Sequence, residues 1–380
     1  MNTRKISFRM MLLLAGFLYI WLFSYAQAAD QVVVIPMGSG GKPLQNVVTV
    51  AKNNGKFTDP VAAMNSITDA SATNPYLIFI APGQYTITTP LIMKEYVDVA
   101  GGGENVTLLT GAINGPSDET SAIVKGANHA TMSNLTITHT GGFNCSLGIY
   151  TTGLDNTARL QHVNVISSGA ANNIGVLNSS SSPIMTEMNI TVSGESVGNY
   201  GVWNKNSSSP IMTDVNVLLP APGGSNCFGV ANESSSPVMI GGNLSVVSVA
   251  GISAGVSNHS SSPVMTGVKI VVSGGFFANS GVENYSSSPV MTGVNIVASG
   301  VKSQGVYNSS IDAGSNSVKI RRSTLSGDTA GLASNAGSSV TVISQSTIIN
   351  GVSGGEYTCV ACDDNAGHLL NTDCTVPDLK

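Results

Sequence analysis

Three titratable side chains recur near the same point of successive sequence repeats. Glu233, His259 and Glu283 follow one another at intervals of 26 and 24 residues. A carboxylate beside an imidazole can act in general acid–base catalysis. On neighbouring strands, Glu233 and His259 would lie about 5 Å apart between backbones, with Glu283 diagonal to them. The three residues form one candidate acid–base site, but we favour the alternative interpretation of a solvated surface cluster.

A second set of candidates consists of aromatic residues in a chain that is only 6% aromatic. Tyr150, Trp203 and Tyr307 each lie two residues after a glycine, following one apolar residue. If the apolar residue points inward, the next residue points outward. The column predicted to face outward is Tyr150, Leu177, Trp203, Ala231, Ser257, Glu283 and Tyr307. Sugar rings stack on such aromatic faces, so the column predicts an extended ligand surface for carbohydrate. Isolated surface aromatics without a function are the alternative.

The five cysteines allow a disulfide or a metal site. Near the C-terminus the spacing is Cys359-x2-Cys362-x5-His368-x5-Cys374, which loosely imitates zinc ligands. We favour one disulfide among these three cysteines, with the pairing left open, and predict no metal and no cofactor. Cys145 and Cys227 would lie about 14 Å apart on stacked coils, which is too far for a disulfide between them.

A repeated segment must position all of these residues. The nine residues SSSPVMTGV occur twice, at Ser260–Val268 and Ser286–Val294. Related prolines at 183, 210, 237, 263 and 289 are separated by 27, 27, 26 and 26 residues. Such regular self-similarity indicates a repeat architecture.

The pattern within each repeat predicts strands. Apolar residues alternate with a period of two, and no 3.6-residue stripe is sustained. We predict an all-β fold, a single-stranded right-handed parallel β-helix in which each repeat forms one coil of three short strands. A leucine-rich repeat is the alternative, because Met-x-x-Val-x-Ile loosely imitates its spacing. Asp59-Pro60 resembles a helix start, so a short N-terminal capping helix is predicted from Pro60 to about Ile67.

Two repeated positions are predicted to form interior ladders. Stacked side-chain amides can bond to one another, and stacked methionines can fill the core. The predicted amide ladder is Asn178, Asn204, Asn232, Asn258, Asn284 and Asn308, and the predicted methionine ladder is Met185, Met212, Met239, Met265 and Met291.

The first 28 residues are predicted to be a signal peptide. A basic start, an apolar stretch from Met10 to Phe23 and an Ala-Gln-Ala site at 26–28 form the usual pattern. An uncleaved membrane anchor is the alternative. The predicted organisation continues with an N-terminal cap and first coils at 29–125, repetitive coils at 126–351 and a cysteine-containing C-terminal cap at 352–380. Cleavage would change the formal net charge from −5 to −8 by removing three basic residues.

The segment before the clear repeat resembles a known family. VVTVAKNNGKFTDPVAAMNSI (47–67), YLIFIAPGQYTITTPLIM (76–93) and VDVAGGGENVTLLTG (97–111) resemble the front end of pectin methylesterases, within the pectin-lyase-like β-helix superfamily. The resemblance covers about 65 residues and implies the β-helix fold more strongly than an activity.

The catalytic motifs implied by that resemblance are missing. No segment matches the later Asp, Arg and Gln residues of pectin methylesterases. The polygalacturonase-like Asn-Thr-Asp occurs only at 371–373, outside the repeat, and Arg159 is the only arginine between Ala130 and Lys319. The calcium carboxylate cluster of pectate lyases has no counterpart.

We therefore favour an exported, non-catalytic β-helix that binds polysaccharide or another cell-surface component along one elongated face. One alternative is a divergent carbohydrate-active enzyme, pectinesterase-like or pectate-lyase-like, that acts on acidic polysaccharide through Glu233, His259 and Asp214. Another is a structural spacer or adhesin. The acidic balance argues against a nucleic-acid partner, and no transmembrane segment is expected after signal cleavage. The predicted location is periplasmic, secreted or cell-surface.

Overall fold

The structure is a computed structural model that describes residues 46–194, 197–220, 226–249, 251–274, 277–309, 316–335 and 339–377. The predicted signal peptide, residues 1–28, lies outside the described residues. Across them the chain winds into an all-β parallel solenoid of the right-handed type, with about 11 turns and 2% helix. Within that part of the chain, no helix is long and apolar enough to cross a membrane.

One row of strands carries the Gly-apolar-x-Asn segments, and we call it the Gly row. Strands are numbered in chain order, and all pairs within the row are parallel. The Gly row consists, in the described residues, of β4 (Leu91–Ile92), β7 (Ala122–Lys125), β9 (Cys145–Thr152), β11 (Asn172–Ser179), β14 (Gly198–Lys205), β17 (Asn226–Glu233), β20 (Ile252–His259), β23 (Ala278–Tyr285), β26 (Ser303–Ser309), β29 (Ala330–Ser334) and β32 (Val352–Ser353).

The other two rows merge into one larger parallel sheet, because two long strands run through both of them. The Met row, which contains the methionine ladder, consists of β1 (Asn46–Val50), β2 (Tyr76–Ile80), β5 (Val97–Gly101), the first parts of β8 (Thr131–Thr140) and β10 (Arg159–Ser168), β12 (Ile184–Thr186), β15 (Ile211–Thr213), β18 (Val238–Ile240), β21 (Val264–Thr266), β24 (Val290–Thr292), β27 (Asn316–Arg321), β30 (Ser339–Ser344) and β33 (Glu356–Val360). The Ile row consists of β3 (Gly83–Thr86), β6 (Thr107–Gly111), the second parts of β8 and β10, β13 (Asn189–Ser193), β16 (Asn216–Pro220), β19 (Asn243–Ser248), β22 (Lys269–Gly274), β25 (Asn295–Ala298), β28 (Thr324–Gly327) and β31 (Thr347–Ile349).

The interior is built from columns of the same residue type. Met265 pairs in register with Met239 before it and Met291 after it, and all five ladder methionines are at most 3% exposed. The valine that follows the repeated glycine forms a second buried column on the Gly row. Burial of a Met or Val side chain contributes about 1.5–3 kcal/mol, so each coil is held mainly by contacts with its neighbours.

The asparagine column lies inside the solenoid at the end of the Gly row. Asn178 Nδ2 donates to Asn204 Oδ1 at 2.8 Å. The same bond, at 2.8–2.9 Å, repeats from each asparagine to the next along the column as far as Asn308. Each buried amide therefore has partners both before and after it, which removes the cost of burying an unpaired polar group.

A short helix, α1 (Pro60–Ser66), packs near the start of the solenoid. The Asp59 carboxylate caps its first turn by accepting hydrogen bonds from Val61 N and Ala62 N, each at 3.1 Å. Ala63 and Met64 are buried. The predicted capping role of this helix is not confirmed and stays a prediction. Since α1 is the only helix in the described residues, the leucine-rich repeat alternative is wrong.

The C-terminal segment is fixed by a disulfide. Cys359 and Cys374 are bonded, with their Cα atoms 5.2 Å apart, and Cys362 is buried outside that bridge. Strands β32 and β33 extend the Gly and Met rows through residues 352–360, so these coils continue into the segment predicted to be a cap. Cys145 and Cys227 are not joined to each other, and they lie in adjacent columns rather than in equivalent positions.

Candidate functional site

The Gly row bends at its repeated glycine, and the outward side chains on the two sides of the bend pack together along a strip that we call the outer groove. In a regular strand the residues before and after Gly175, Ile174 and Val176, would point to the same side. Instead, Val176 belongs to the interior core and Ile174 to a separate buried cluster. A Cβ on Gly175 would lie 2.3 Å from Ile190 Cγ2, so the glycine itself faces inward against the Ile row. Two successive inward positions bring the flanking outer side chains together.

Two columns of side chains line this outer groove. The first is the column before the glycine, and the second is the column that the sequence predicts to face outward. The first column is Leu147, Ile174, Tyr200, Phe228, Ala254, Ser280 and Gln304. The second column is Tyr150, Leu177, Trp203, Ala231, Ser257, Glu283 and Tyr307.

The groove begins with aromatic and aliphatic side chains. Tyr200 and Trp203 stack with ring centroids 4.7 Å apart, and Phe228 lies tilted at 5.7 Å from Tyr200. Trp203 is held further, because its Nε1 donates to Glu233 Oε1 at 3.0 Å and Lys205 Nζ lies 4.8 Å from its ring centroid. These contacts fix the half-buried indole ring of Trp203 beside the groove.

The later part of the groove is more polar. His259 stacks on Tyr285 with centroids 4.6 Å apart, and Tyr285 meets Tyr307 edge-on at 6.2 Å. Tyr307 donates its hydroxyl to Asn335 Oδ1 at 3.1 Å. His259 and Tyr285 belong to the next outward column, two residues beyond the second, so they flank the polar part of the groove, whereas Tyr307 lies in the second column.

Glu283 lies at the floor of the polar part. The sequence predicts an outward and exposed carboxylate, and the expectation of exposure is wrong: only 3% of Glu283 is accessible. Ser257 Oγ donates to its Oε1 at 2.6 Å. Burial raises the pKa of Glu283 to about 7, against the opposing effect of that hydrogen bond. The carboxyl group therefore keeps its proton to a higher pH than an exposed glutamate does.

The predicted acid–base residues are neighbours without being bonded to each other. Glu233 pairs in register with His259. Within the described residues no hydrogen bond or ion pair joins them, because Glu233 accepts from Trp203 and His259 stacks on Tyr285. Burial lowers the pKa of His259, while the nearby Glu233 carboxylate opposes that shift.

Other predicted positions need correction. Leu177, Ala231 and Ser257 belong to the outward column but are at most 4% exposed, because the converging columns cover small and aliphatic side chains. Asp214 lies in the turn after β15, on another side of the solenoid, and does not join the groove. Tyr200 and Phe228 were missed, since a strict period of two places them inside. The invariant glycine next to each was the only signal of the bend.

One Ser–His contact lies elsewhere. Ser146 Oγ lies 2.9 Å from His139 Nδ1, and His139 Nε2 lies 3.0 Å from the carbonyl oxygen of Ile113. Both residues are fully buried in the solenoid, and burial lowers the pKa of His139. No substrate reaches this pair, so it is a structural polar contact.

Comparison with known families agrees with the fold. Residues 44–219, just under half of the chain, match the family described as rhamnogalacturonase A/epimerase, pectate lyase-like. This match and the parallel β-helix fold support the predicted resemblance to the pectin-lyase-like superfamily. A search of curated protein sequences found no match for this chain.

Several solved structures are similar to this pectin-lyase-like chain. The catalytic domain of a GH87 α-1,3-glucanase variant in complex with nigerose is 11% identical, with a TM-score of 0.50, over 88% of this chain and 68% of that one. The A-module of the Azotobacter vinelandii mannuronan C-5 epimerase AlgE4 is 14% identical (TM-score 0.44) over 84% and 96% of the two chains. A pectin methylesterase from Yersinia enterocolitica is 14% identical (TM-score 0.39) over 58% and 82%. At such identities the likeness to the glucanase shows the fold alone.

Proposed function

We propose that the outer groove of the Gly row binds polysaccharide and that the protein is an exported, non-catalytic binding protein. The observation that carries the proposal is the set of three half-buried rings, Tyr150, Trp203 and Tyr307, which lie two and four coils apart in the second groove column. Successive coils rise by about 4.8 Å, so the set extends for about 29 Å, which suits an elongated polymer. Stacking of sugar rings on aromatic faces supplies the affinity.

The surroundings of Trp203 support this role. Tyr200 stacks on the Trp203 ring and Lys205 Nζ also lies over it, so a ligand ring that stacks on the indole must displace the flexible Lys205 side chain. Tyr200 and Glu233 then hold the indole in place. Because these contacts hold the side chain before binding, little conformational entropy is lost on ordering it. Trp203 is thus the strongest anchor among the three predicted ligand residues.

Export is proposed from the N-terminal pattern. The Cys359–Cys374 disulfide is compatible with an oxidising compartment outside the cytoplasm. Mass spectrometry of the N-terminus of protein recovered from the periplasm or medium tests this. A mature start at Ala29 supports export and cleavage, and an intact Met1 in the cytoplasmic fraction contradicts them.

The binding proposal is tested with the purified protein on a glycan array, followed by calorimetry on the best polysaccharide. We expect Trp203→Ala to weaken binding about tenfold or more, and Tyr307→Ala to weaken it less. Val106→Ala, at an exposed apolar residue directly before β6, is the matched control and should leave affinity unchanged. If Trp203→Ala binds as tightly as the wild type, the groove is not the binding site. A protein that binds no glycan supports the spacer or adhesin alternative.

A second candidate function, a carbohydrate-active enzyme, is favoured by the environment of Glu283. A buried carboxyl group with a pKa of about 7 can deliver a proton at neutral pH. The exposed Glu233 lies two coils away and supplies a second carboxylate, as glycoside hydrolysis requires.

Incubation with pectins and other acidic glycans, followed by product analysis, tests this second candidate. Product release that Glu283→Gln abolishes while binding persists would establish catalysis. No product from the wild type on any glycan that it binds would leave the protein a binding protein.

A further inference from the structure

A second face of the solenoid carries no part of the groove. We call the outward side of the Met and Ile rows the Met–Ile face. Its central coils repeat the same residues: one column of β-branched residues, and a second column that is threonine in four of five coils. The first column is Ile184, Ile211, Val238, Val264 and Val290, and the second is Thr186, Thr213, Ile240, Thr266 and Thr292.

This face exposes many large apolar side chains. Seven that are between 36% and 44% exposed lie on four consecutive coils: Ile211, Leu218, Ile240, Val247, Val264, Val290 and Val297. Together they expose on the order of several hundred Å² of apolar surface, divided between the two rows.

Charges are nearly absent from the centre of the face and differ between its two ends. Lys269 is the only charged outward residue on the central strands β15 to β25 of these rows. The turn that joins the two rows carries Glu187 and Asp214 at one end. Lys319, Arg321 and Arg322 occupy the other end. At the first end, however, Glu187 Oε2 pairs with His162 Nε2 at 2.8 Å, and the exposed Arg159 lies one coil before Ile184. That end therefore carries charges of both signs, the other end is basic, and Lys269 lies between them.

We propose that two copies of this chain pair through their Met–Ile faces, with the solenoid axes antiparallel. A second copy is the occupant that matches these observations, since it has the same coil spacing and a centre whose only charged strand residue is Lys269. We place the two-fold axis midway between the coil of Val238 and the coil of Val264. The Val238 coil of one copy then faces the Val264 coil of the other, and the coils farther from the axis pair in the same order. Each Glu187 then faces Arg322 of the other copy, and Lys269 faces Asn243 rather than another lysine.

The symmetry accounts for the charge pattern. A two-fold dimer uses the same surface on both subunits, and in the antiparallel arrangement the end with Glu187 and Asp214 meets the basic end of the other copy. Parallel pairing would instead place like charges together. Sheets that pack face to face lie about 10 Å apart, which lets the β-branched and threonine columns interlock.

The test is sedimentation equilibrium of the full protein over a range of concentrations. The wild type should be a dimer, and Val264→Lys with Val290→Lys should give a monomer. The matched control, Val249→Lys with Val301→Lys, adds the same charges at exposed valines in loops off this face and should remain dimeric. Circular dichroism checks that each variant keeps its β content.

A charge exchange tests the antiparallel arrangement. Arg322→Glu alone should raise the dimer dissociation constant about fivefold, and so should Glu187→Arg alone. The double variant should restore wild-type affinity. Failure of the double variant to recover would overturn the antiparallel arrangement.

If the wild type is monomeric at every soluble concentration, the proposed pairing is wrong. It is also wrong if a monomer binds an insoluble polysaccharide through its Met–Ile face. Trp203→Ala should not alter the oligomeric state, so the outcome is independent of the groove proposed to bind polysaccharide.

Discussion

The outer groove and the Met–Ile face differ in how much successive coils vary. Along the second groove column the residue changes from Tyr to Leu, Trp, Ala, Ser, Glu and Tyr, while the Met–Ile columns repeat threonine and β-branched residues coil after coil. Both faces lie on strands with the same spacing and the same buried interior. Variation on one face therefore reflects no difference in the scaffold beneath it.

This comparison separates two uses of a repeat. A column that repeats one residue suits a periodic partner or a purely structural role, whereas a column that varies can offer a different group at each coil. The interior columns repeat because each position must match its neighbours. Testing repeated interior positions against exposed equivalents shows how much of the repetition is structural.

Gly255→Ala should have the largest effect. A Cβ there would lie 2.1 Å from Ile270 Cγ2 and 2.7 Å from the Gly281 carbonyl oxygen, so the two rows cannot stay in contact. We expect a loss of about 3 kcal/mol or more in the free energy of unfolding, measured by urea denaturation. Gly267→Ala is the control, because no atom lies within 4 Å of its Cβ and only its positive φ makes alanine unfavourable. Equal losses in the two variants would contradict the close approach of the Gly and Ile rows.

Asn258→Ala should cause the next largest loss of stability. It removes two bonds of a fully buried ladder and leaves Asn232 and Asn284 each with an unpaired group. The expected loss is about 2 to 3 kcal/mol in urea denaturation. Asn216→Ala breaks a similar but exposed ladder on the Met–Ile face, where water replaces the lost bonds, and should cost less than about 1 kcal/mol. A loss at Asn216 as large as that at Asn258 would show that burial is not the cause.

The sequence predicts the repeated parts of the molecule better than the parts that vary. The repeat period, the number of strands in each coil and the buried methionine column can be predicted from the self-similarity of the sequence. A residue type that recurs in every coil stacks on its own copies, and this leaves few physical roles for it. The bend at Gly175 does not follow, since a glycine in a strand signals only some close approach, not which side chains it redirects. For that reason the sequence does not predict that Tyr200 and Phe228 face outward. It does not predict the burial of Glu283 either, because that burial depends on neighbours from three coils.

Glu283 should make stability fall as pH rises. Its pKa is raised from 4.5 to about 7 in the folded protein, so the folded state holds its proton more tightly than the unfolded state. Stability that is present below pH 4.5 is therefore lost progressively up to pH 7. Between pH 5 and pH 7 the loss is about 2 kcal/mol.

Glu283→Gln isolates this contribution, because glutamine can still accept the bond from Ser257. The variant should abolish that part of the pH dependence in urea denaturation, while Glu233→Gln should retain it. A wild type and a Glu283→Gln variant with parallel stability profiles would show that the carboxyl group titrates as if it were exposed.

The smallest expected effect concerns His259, where two neighbours act in opposite directions. Burial beside Tyr285 disfavours the imidazolium, and the Glu233 carboxylate favours it. An NMR titration should find the pKa of His259 below its ordinary value of 6.5. Glu233→Gln should lower that pKa further, since it removes the favourable charge and leaves the burial. A rise in the pKa of His259 would instead mean that Glu233 holds His259 in a less exposed position in the wild type. The aromatic and polar parts of the groove would then be coupled through this one carboxylate.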